Sequence, residues 1–191
     1  MKSCLAFILL LGCSLLTASA QGLGTVQRTF HTFRGDRTYT CLLIDGGAVP
    51  LTPSGTAKVS AGDGVSVNWP EDGAAAIIRP GSSGEAALLN LMGKPEAALA
   101  WKKYIVATLR DPGYTYLVHD FQPDVLDVNH WRIGAITMDY SIGGRKSSSL
   151  VMLWRCQNGS TLVVTMQASA DHFKAHYDEL FSMIGGAMVL K

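Results

Sequence analysis

Two closely spaced turn signals in the C-terminal half constrain the fold of this chain more than any other feature. Gly143-Gly144 and Asn158-Gly159 are dipeptides typical of two-residue β-hairpin loops, and the segments around them are rich in apolar residues. We therefore expect three consecutive antiparallel strands at 131–142, 148–156 and 161–168. A two-residue loop at Asn158-Gly159 pairs Gln157 with Ser160, so that Leu153 lies opposite Val164.

The second of these hairpins predicts a sheet that is covered on both faces. Side chains alternate between the two faces of a strand. In the expected register, Leu153 and Val164 share one apolar face, while Trp154 and Val163 make the other face apolar as well. A sheet that is apolar on both faces needs a layer on each side.

Two amphipathic helices are predicted to form these layers. The first runs from Pro95 to Arg110 and is followed by Asp111-Pro112-Gly113, which stops it. The second runs from Ala170 to Ile184, with Ser169 as its N-cap and Gly185-Gly186 at its end. Apolar residues recur at helical spacing in both, namely Ala98, Trp101, Ile105 and Leu109, then Phe173, Tyr177, Leu180, Phe181 and Ile184.

The shorter apolar segments complete an α+β domain. Strands are predicted at 58–61, 65–69, 75–79 and 114–121, whereas 86–92 fits either a strand or a helix. The predicted architecture is an antiparallel β-sheet of about six strands sandwiched by two helices. Residues 25–44 predict a small N-terminal β-hairpin, followed by a Gly- and Pro-rich linker. The expected organisation is a signal peptide at 1–20, the hairpin and linker at 21–55, and the sandwich domain at 56–191.

The first 20 residues have the parts of a secretory signal peptide. Lys2 provides the positive charge, an uncharged apolar run follows, and Ala18-Ser19-Ala20 is a small-x-small cleavage site. Cleavage after Ala20 predicts a secreted or periplasmic protein. A lipoprotein modified at Cys13 is an alternative, although the preceding leucines match a lipobox poorly. An uncleaved anchor is a further alternative, but the run is shorter than the about 20 apolar residues that span a bilayer.

The charge balance argues against electrostatic capture of a partner. The chain has 16 Lys and Arg against 15 Asp and Glu, and loss of Lys2 with the signal peptide leaves fifteen of each sign. A neutral chain has no long-range field to attract nucleic acid or acidic lipid. We expect the partner to be a protein or a small molecule rather than a nucleic acid.

The cysteines predict one disulfide. Cys4 and Cys13 leave with the signal peptide, so Cys41 and Cys156 remain as a lone pair in a chain sent to an oxidising compartment. Two separate buried thiols are the alternative, because free cysteine is often buried. Neither residue lies in a Cys-x-x-Cys motif, which argues against a zinc or redox role.

One strip of the second helix has the spacing of a metal site. His172, His176 and Glu179 lie at i, i+4 and i+7, so they share one side of the helix. In zinc hydrolases of this kind a Glu directly follows the first His, whereas Phe173 stands there in this chain. We expect structural or exposed histidines rather than zinc ligands.

An acidic segment gives a second, weaker candidate. It holds the densest set of potential ligands, namely His119, Asp120, Asp124, Asp127 and His130. Their spacing does not match a calcium-binding EF-hand, so a solvated loop between strands is expected. Two of the three carboxylates of Asp124, Asp127 and Asp139 could form the catalytic pair of a glycosidase, but the sequence does not give the distance between them.

Motifs for nucleophilic catalysis and phosphate binding are incomplete. Gly81-Ser82-Ser83-Gly84 lacks the Gly-x-Ser-x-Gly elbow. The segment 143–147 lacks the glycine spacing of a phosphate loop and is predicted to be a hairpin turn. The sequence therefore predicts no catalytic, cofactor-binding or metal-binding residue and no cofactor.

The order of elements and two stretches of sequence resemble the PsbP-like α/β/α sandwich. The first is Gly64-Val65-Ser66-Val67-Asn68-Trp69-Pro70; the second is Asn158 to Thr165 leading into Ala170-Asp171-His172-Phe173 and Phe181-Ser182-Met183-Ile184. The resemblance covers about 56–191 and implies an exported or organellar, non-enzymatic protein that acts in assembly or binding. No functional residue of that superfamily can be placed on this chain.

The resulting expectation is an exported, non-catalytic binding or accessory protein of unknown ligand. The alternative is a metal-assisted hydrolase that uses His172, His176 and Glu179, or the acidic segment from Asp120 to His130. A third possibility is a structural protein of the cell envelope with an exposed apolar patch.

Overall fold

The computed structural model describes residues 24–32, 35–44, 47–51, 56–61, 64–108, 115–128, 131–142, 144–156 and 159–189. The predicted signal peptide, its cleavage site and Cys13 lie outside these residues. Among the helices within them, none combines the length and the apolar character needed to cross a membrane.

The described residues form ten strands and three helices. The strands are β1 (Gly24–Thr32), β2 (Gly35–Ile44), β3 (Gly47–Pro50), β4 (Lys58–Ala61), β5 (Val65–Trp69), β6 (Ala74–Pro80), β7 (Thr115–Val128), β8 (Trp131–Ile142), β9 (Arg145–Arg155) and β10 (Thr161–Ser169). The helices are α1 (Ser83–Asn90), α2 (Ala97–Thr108) and α3 (Phe173–Val189).

Seven strands make the main sheet. Their order is β4-β5-β6-β10-β9-β8-β7, and every neighbouring pair is antiparallel. Strand β10 therefore joins two three-stranded meanders that are distant in sequence. The predicted α+β class and its antiparallel sheet are confirmed.

The hairpin between β9 and β10 differs by one residue from the expected register. Leu153 lies opposite Val163, not Val164. The Cys156 N–H donates to the Ser160 carbonyl at 2.9 Å, and the Gly159 N–H donates to the Cys156 carbonyl at 3.0 Å. The loop thus has three residues, and Gly159 takes a left-handed φ of 82°, as the last residue of such loops commonly does. The prediction of a two-residue loop is wrong.

Both faces of the sheet are apolar, as predicted, and each is covered by helices. On one face, α1 and α2 bury a cluster that includes Trp101, Ile105, Val151, Leu153 and Val163. On the other face, α3 buries a cluster that includes Leu150, Met152, Val164, Leu180 and Ile184. Trp101 is fully buried, as its helical spacing predicted.

The ambiguous segment 86–92 is mainly helical, and this supplies a third helix. Ser82 caps α1 in a capping box, because its side chain accepts from the Glu85 N–H while the Glu85 carboxylate accepts from the Ser82 N–H. Helix α2 begins at Ala97, two residues later than expected, and Ala97 rather than Ala98 is buried.

Helix α3 differs from the prediction at both ends. It begins at Phe173 because residues 170–172 form a turn, so Ser169 is not its N-cap. It continues to Val189 through Gly185-Gly186, which were expected to end it. Glycine lowers helix propensity by about 1 kcal/mol per residue, but it does not terminate a helix by itself.

The N-terminal appendage is a separate sheet of three strands in the order β1-β2-β3, one strand more than the predicted hairpin. It is attached to the main domain at its base, since Leu42 and Leu51 belong to the same buried cluster as the α3 face of the main sheet.

Cys41 and Cys156 are both buried thiols, and the structure contains no disulfide between them. Cys156 lies in the cluster that includes Leu42. Cys41 is buried as well but belongs to neither buried cluster, so the two thiols lie in different surroundings. The expected disulfide is therefore corrected to the alternative of two separate thiols.

A buried carboxylate attaches α1 to the sheet and to α2. Glu85 accepts from Arg79 Nη2 at 2.6 Å, from the Ser82 N–H at 2.7 Å and from the Tyr104 hydroxyl. Burial alone would raise the pKa of Glu85, but these donors outweigh it and lower the pKa to about 2. The pKa of Tyr104 rises to about 12, because the phenol is buried and donates to this carboxylate.

We expect Glu85→Gln to destabilise the fold by about 2–3 kcal/mol at neutral pH, because the lowered pKa stabilises the ionised carboxylate in the folded state. This contribution is present above the ordinary pKa of 4.5 and is lost as the pH falls toward about 2. Urea unfolding at pH 7 and pH 3 measures it. The exposed Glu96→Gln is the matched control, and an equal loss in both variants would contradict this role.

Candidate functional site

A groove lies between the N-terminal half of α3 and the sheet. Its volume is about 280 Å³. Thr137 and Leu150 lie opposite each other on β8 and β9, so they present the α3 face of the sheet to the groove. The lining residues are Ala135, Ile136, Thr137, Leu150, Phe173, Lys174 and Tyr177. The walls are therefore mainly apolar, with Lys174 as the charged residue among them.

A row of aromatic rings on α3 forms the helical wall of the groove and continues beyond it. Phe173, Tyr177 and Phe181 lie four residues apart, and their rings stack in sequence at centroid distances of 6.3 Å and 6.0 Å. All three are only half-buried. The sequence predicted them as part of a buried stripe, but their exposed edges instead give the groove an aromatic wall.

The groove narrows toward the middle of α3. A cleft beneath Tyr177 and Phe181 is lined by Met152, Val164 and Leu180 and leaves no space for a water molecule. Leu150 and Tyr177 line both the groove and this cleft. The groove is therefore open at the first turns of α3 and closed by the core further along.

The start of α3 is attached to the turn between β5 and β6 by one carboxylate. Asp72 Oδ2 lies 3.1 Å from His172 Nδ1 and 2.5 Å from His176 Nε2, while Asp72 Oδ1 accepts from the Ala74 N–H at 3.0 Å. Burial alone would raise the pKa of Asp72, but the hydrogen bonds from His176 and Ala74 outweigh it and lower the pKa. The side chains of Asp72 and His176 are 16% and 13% exposed, so this contact is largely protected from water.

A second contact joins the same helix to β5. The buried Trp69 donates from its indole N–H to Glu179 Oε2 at 2.8 Å. Its ring also lies against His176 at a centroid distance of 4.5 Å. His176 and Glu179 of α3, together with His172 in the turn before it, thus hold the start of α3 against the β5–β6 hairpin.

The same cluster has the composition of a catalytic triad but not its geometry. Ser169 Oγ lies 3.2 Å from His172 Nδ1, and Asp72 Oδ2 lies 3.1 Å from the same nitrogen. A triad histidine contacts its serine through one ring nitrogen and its carboxylate through the other. Because both oxygens here contact Nδ1, the imidazole cannot pass a proton between them.

The acidic segment, the second candidate metal site, lies largely in β7. Within the described residues, no group of three His, Cys, Asp or Glu side chains is arranged to hold a metal ion. The predicted acidic loop is instead part of β7, whose pairing with β8 shifts register twice, after Leu117 and after Gln122. The side chains of His119, Asp120, Asp124 and Asp127, and all of His130, lie outside the described residues.

Other residues that the sequence marked have structural roles. Asp139 accepts from the Ser148 hydroxyl at 2.6 Å. Ser82 is the N-cap of α1, and Gly144, with a φ of 81°, belongs to the β8–β9 turn rather than to a phosphate loop. Asp72 and the groove were not identified from the sequence, because Asp72 is 104 residues away from His176 along the chain.

Comparison with known proteins assigns no family. No protein-family model matches the chain, and no curated protein sequence matches it. A crystal structure of LpqN, involved in cell envelope biogenesis of Mycobacterium tuberculosis, aligns with 12% identity and a TM-score of 0.40, covering 82% of this chain and 86% of LpqN. A Pseudomonas aeruginosa protein of unknown function, PA94, aligns with 10% identity and a TM-score of 0.36, covering 86% of this chain and 97% of PA94. The PsbP-like resemblance therefore stays a prediction at the family level.

We expect Asp72→Asn to loosen the start of α3 and to lower the free energy of unfolding by about 1–2 kcal/mol, since hydrogen bonds to a charged group are lost. The contribution is present above the ordinary carboxyl pKa of 3.8 and is lost as the pH falls below it. Hydrogen exchange of the first turns of α3 measures the change. The exposed Asp171→Asn in the turn that precedes α3 is the control, and equal exchange in both variants would argue against the attachment.

Proposed function

We propose that the protein is an exported, non-catalytic binding protein that holds an apolar group in the groove between α3 and the main sheet. The observation that carries this proposal is the pairing of a sheet surface at Ala135, Thr137 and Leu150 with the half-exposed rings of Phe173 and Tyr177. A site of this kind is concave, mostly apolar and supplied with few polar groups, as ligand sites usually are.

The size of the groove supports a small ligand. A volume of about 280 Å³ lies just below the range of about 300–1,000 Å³ typical of small-molecule pockets. It would accept a single apolar chain or ring system rather than a dinucleotide. Lys174 and Thr137 are the polar lining residues, so they would orient a polar end of the ligand toward solvent.

The site is placed on a rigid part of the fold. One wall belongs to the antiparallel pair of β8 and β9, and the other is held by the Asp72 contact with His172 and His176. A groove that is formed before the ligand arrives loses little conformational entropy on binding. This supports a binding role for the groove.

Export and partner class belong to the same proposal. The signal peptide predicted at 1–20 supports a secreted or periplasmic protein. The equal numbers of positive and negative charges in the rest of the chain favour a protein or a small molecule as the partner. A lipoprotein modified at Cys13 stays the alternative localisation.

Filling the groove tests the proposed binding. The neutral apolar fluorophore N-phenyl-1-naphthylamine should bind the wild-type protein with a blue shift and increased emission. Ala135→Leu should weaken this binding at least about tenfold, because the added methyl groups occupy ligand volume. Ala175→Leu makes the same change on the exposed side of α3 and is the matched control. Equal affinity of the two variants, or failure of the wild-type protein to bind, would contradict the groove as the site.

Metal analysis tests the non-catalytic part of the proposal. Protein purified without a histidine tag should contain no stoichiometric zinc or calcium. Stoichiometric metal that is lost in His172→Gln and His176→Gln would instead support the metal-assisted hydrolase.

A further inference from the structure

The N-terminal sheet has a two-stranded arm that stands outside the core. The arm consists of Gln27–His31 of β1 and Gly35–Thr40 of β2, and all of these residues except the half-buried Tyr39 and Thr40 are exposed. None of them belongs to either buried cluster. A two-stranded hairpin that is exposed on both faces is marginally stable alone. A partner that binds the arm would therefore stabilise it, and the residues on its two faces and its outer edge indicate the chemistry of such a partner.

One face of the arm is polar and internally satisfied. Three cross-strand pairs lie on it, and each is joined by a side-chain hydrogen bond: Gln27 with Thr40 at 2.8 Å, Thr29 with Thr38 at 2.8 Å, and His31 with Asp36 at 2.7 Å. Donors and acceptors on this face are matched within the arm. This face is suited to solvent.

The opposite face is aromatic and cationic. It carries Arg28 opposite Tyr39 and Phe30 opposite Arg37. The rings of Phe30 and Tyr39 meet edge to face at 5.8 Å, and Phe30 is 37% exposed. Within the described part of the chain, neither arginine forms an ion pair with a carboxylate. Asp36, the one acidic residue between positions 24 and 44, is bound to His31 on the other face.

Among the residues that the structure describes, no strand pairs with the outer edge of the arm. The Leu51 N–H donates to the Thr40 carbonyl at 2.9 Å, so the backbone of Thr40 faces β3. Backbone groups alternate between the two sides of an antiparallel strand. The backbone of Gln27, the partner of Thr40, therefore points away from β2, and the backbones of Thr29 and His31 do the same.

This edge has no bulge and no proline, and its strand is long. Strand β1 keeps an uninterrupted register over its whole length. The edges of the main sheet differ, because β4 has only four residues and β7 has two register shifts. Short strands and bulges are devices that keep sheet edges from pairing with other chains.

We propose that β1 binds an extended, acidic segment of a partner protein, which adds to the N-terminal sheet as a further strand. The backbone groups of Gln27, Thr29 and His31 would supply the ladder, and carboxylates on alternate residues of the partner would face Arg28 and Arg37. Strands are about 4.8 Å apart, so both arginines lie within about one Debye length of the added strand. Backbone pairing supplies affinity, and side chains on one face supply selectivity.

Two synthetic peptides test this proposal on the whole protein. One alternates glutamate with valine, and the other has lysine in place of glutamate; both carry a fluorophore for anisotropy. The glutamate peptide should bind at least about tenfold more tightly, since each exposed ion pair contributes up to about 1 kcal/mol. Equal binding of the two peptides, or binding of neither, would overturn the proposal.

Three variants separate the contributions. Arg28→Glu/Arg37→Glu should reverse the peptide preference, whereas Lys102→Glu/Lys103→Glu, an equal change of charge on exposed residues of α2, should leave it intact. Thr29→Pro removes an outward N–H without breaking the ladder to β2, and it should abolish binding of the glutamate peptide. Unchanged binding in Thr29→Pro would overturn the added strand.

Two other occupants would be detected by the same variants. Self-association of the protein without peptide, lost in Thr29→Pro, would assign the edge to a second copy of the chain. Binding to phosphatidylglycerol vesicles that is lost in Arg28→Glu/Arg37→Glu but kept in Thr29→Pro would assign the cationic face to an anionic lipid surface. Either result would overturn the proposed partner.

Discussion

The two hydrogen-bonded ladders of β10 hold the main sheet together. One ladder joins it to β6 and the other to β9, so this strand connects two meanders that would otherwise share no backbone contact in the sheet. Its side chains are buried on both sides, with Val163 on the α1–α2 face and Leu162 and Val164 on the α3 face. A central strand that is apolar on both faces requires a layer on each side, and this requirement determines the sandwich.

The groove exists because the main sheet is wider than the single helix that covers its α3 face. Seven strands at about 4.8 Å spacing span roughly 30 Å, whereas a helix with its side chains is about 10–12 Å wide. On the α3 face, α3 packs on β9 and β10, and Leu42 and Leu51 of the N-terminal segment join the same buried cluster as β5 and β6. The surface of β8 at Ala135 and Thr137 extends beyond α3 and forms the floor of the groove. The groove is thus a consequence of covering a wide sheet with a single helix.

Features that depend on residues close together in the sequence could largely be predicted, whereas contacts between residues that are distant in the sequence could not. Helical spacing identified Trp101 and Ile105 as core residues, and turn residues located the C-terminal strands. The register of β9 and β10 was missed because a left-handed Gly159 closes a three-residue loop, which the same dipeptide does not distinguish from a two-residue loop. The contact of His172 and His176 with Asp72 was missed because Asp72 is remote in sequence. The groove could not be predicted, since it depends on which strands α3 leaves uncovered.

Two carboxylates attach the helical layers to opposite faces of the sheet by the same principle. Glu85 receives donors from β6, from the start of α1 and from α2, and Asp72 receives donors from the start of α3 and from β6. Both have a lowered pKa, so both stay ionised wherever the protein is folded at ordinary pH. A general acid needs the opposite, namely a raised pKa that keeps a proton available near neutrality. These two carboxylates therefore lack the raised pKa of a general acid, and their contacts attach helices to the sheet. The groove on the α3 face combines access from solvent with room for a ligand.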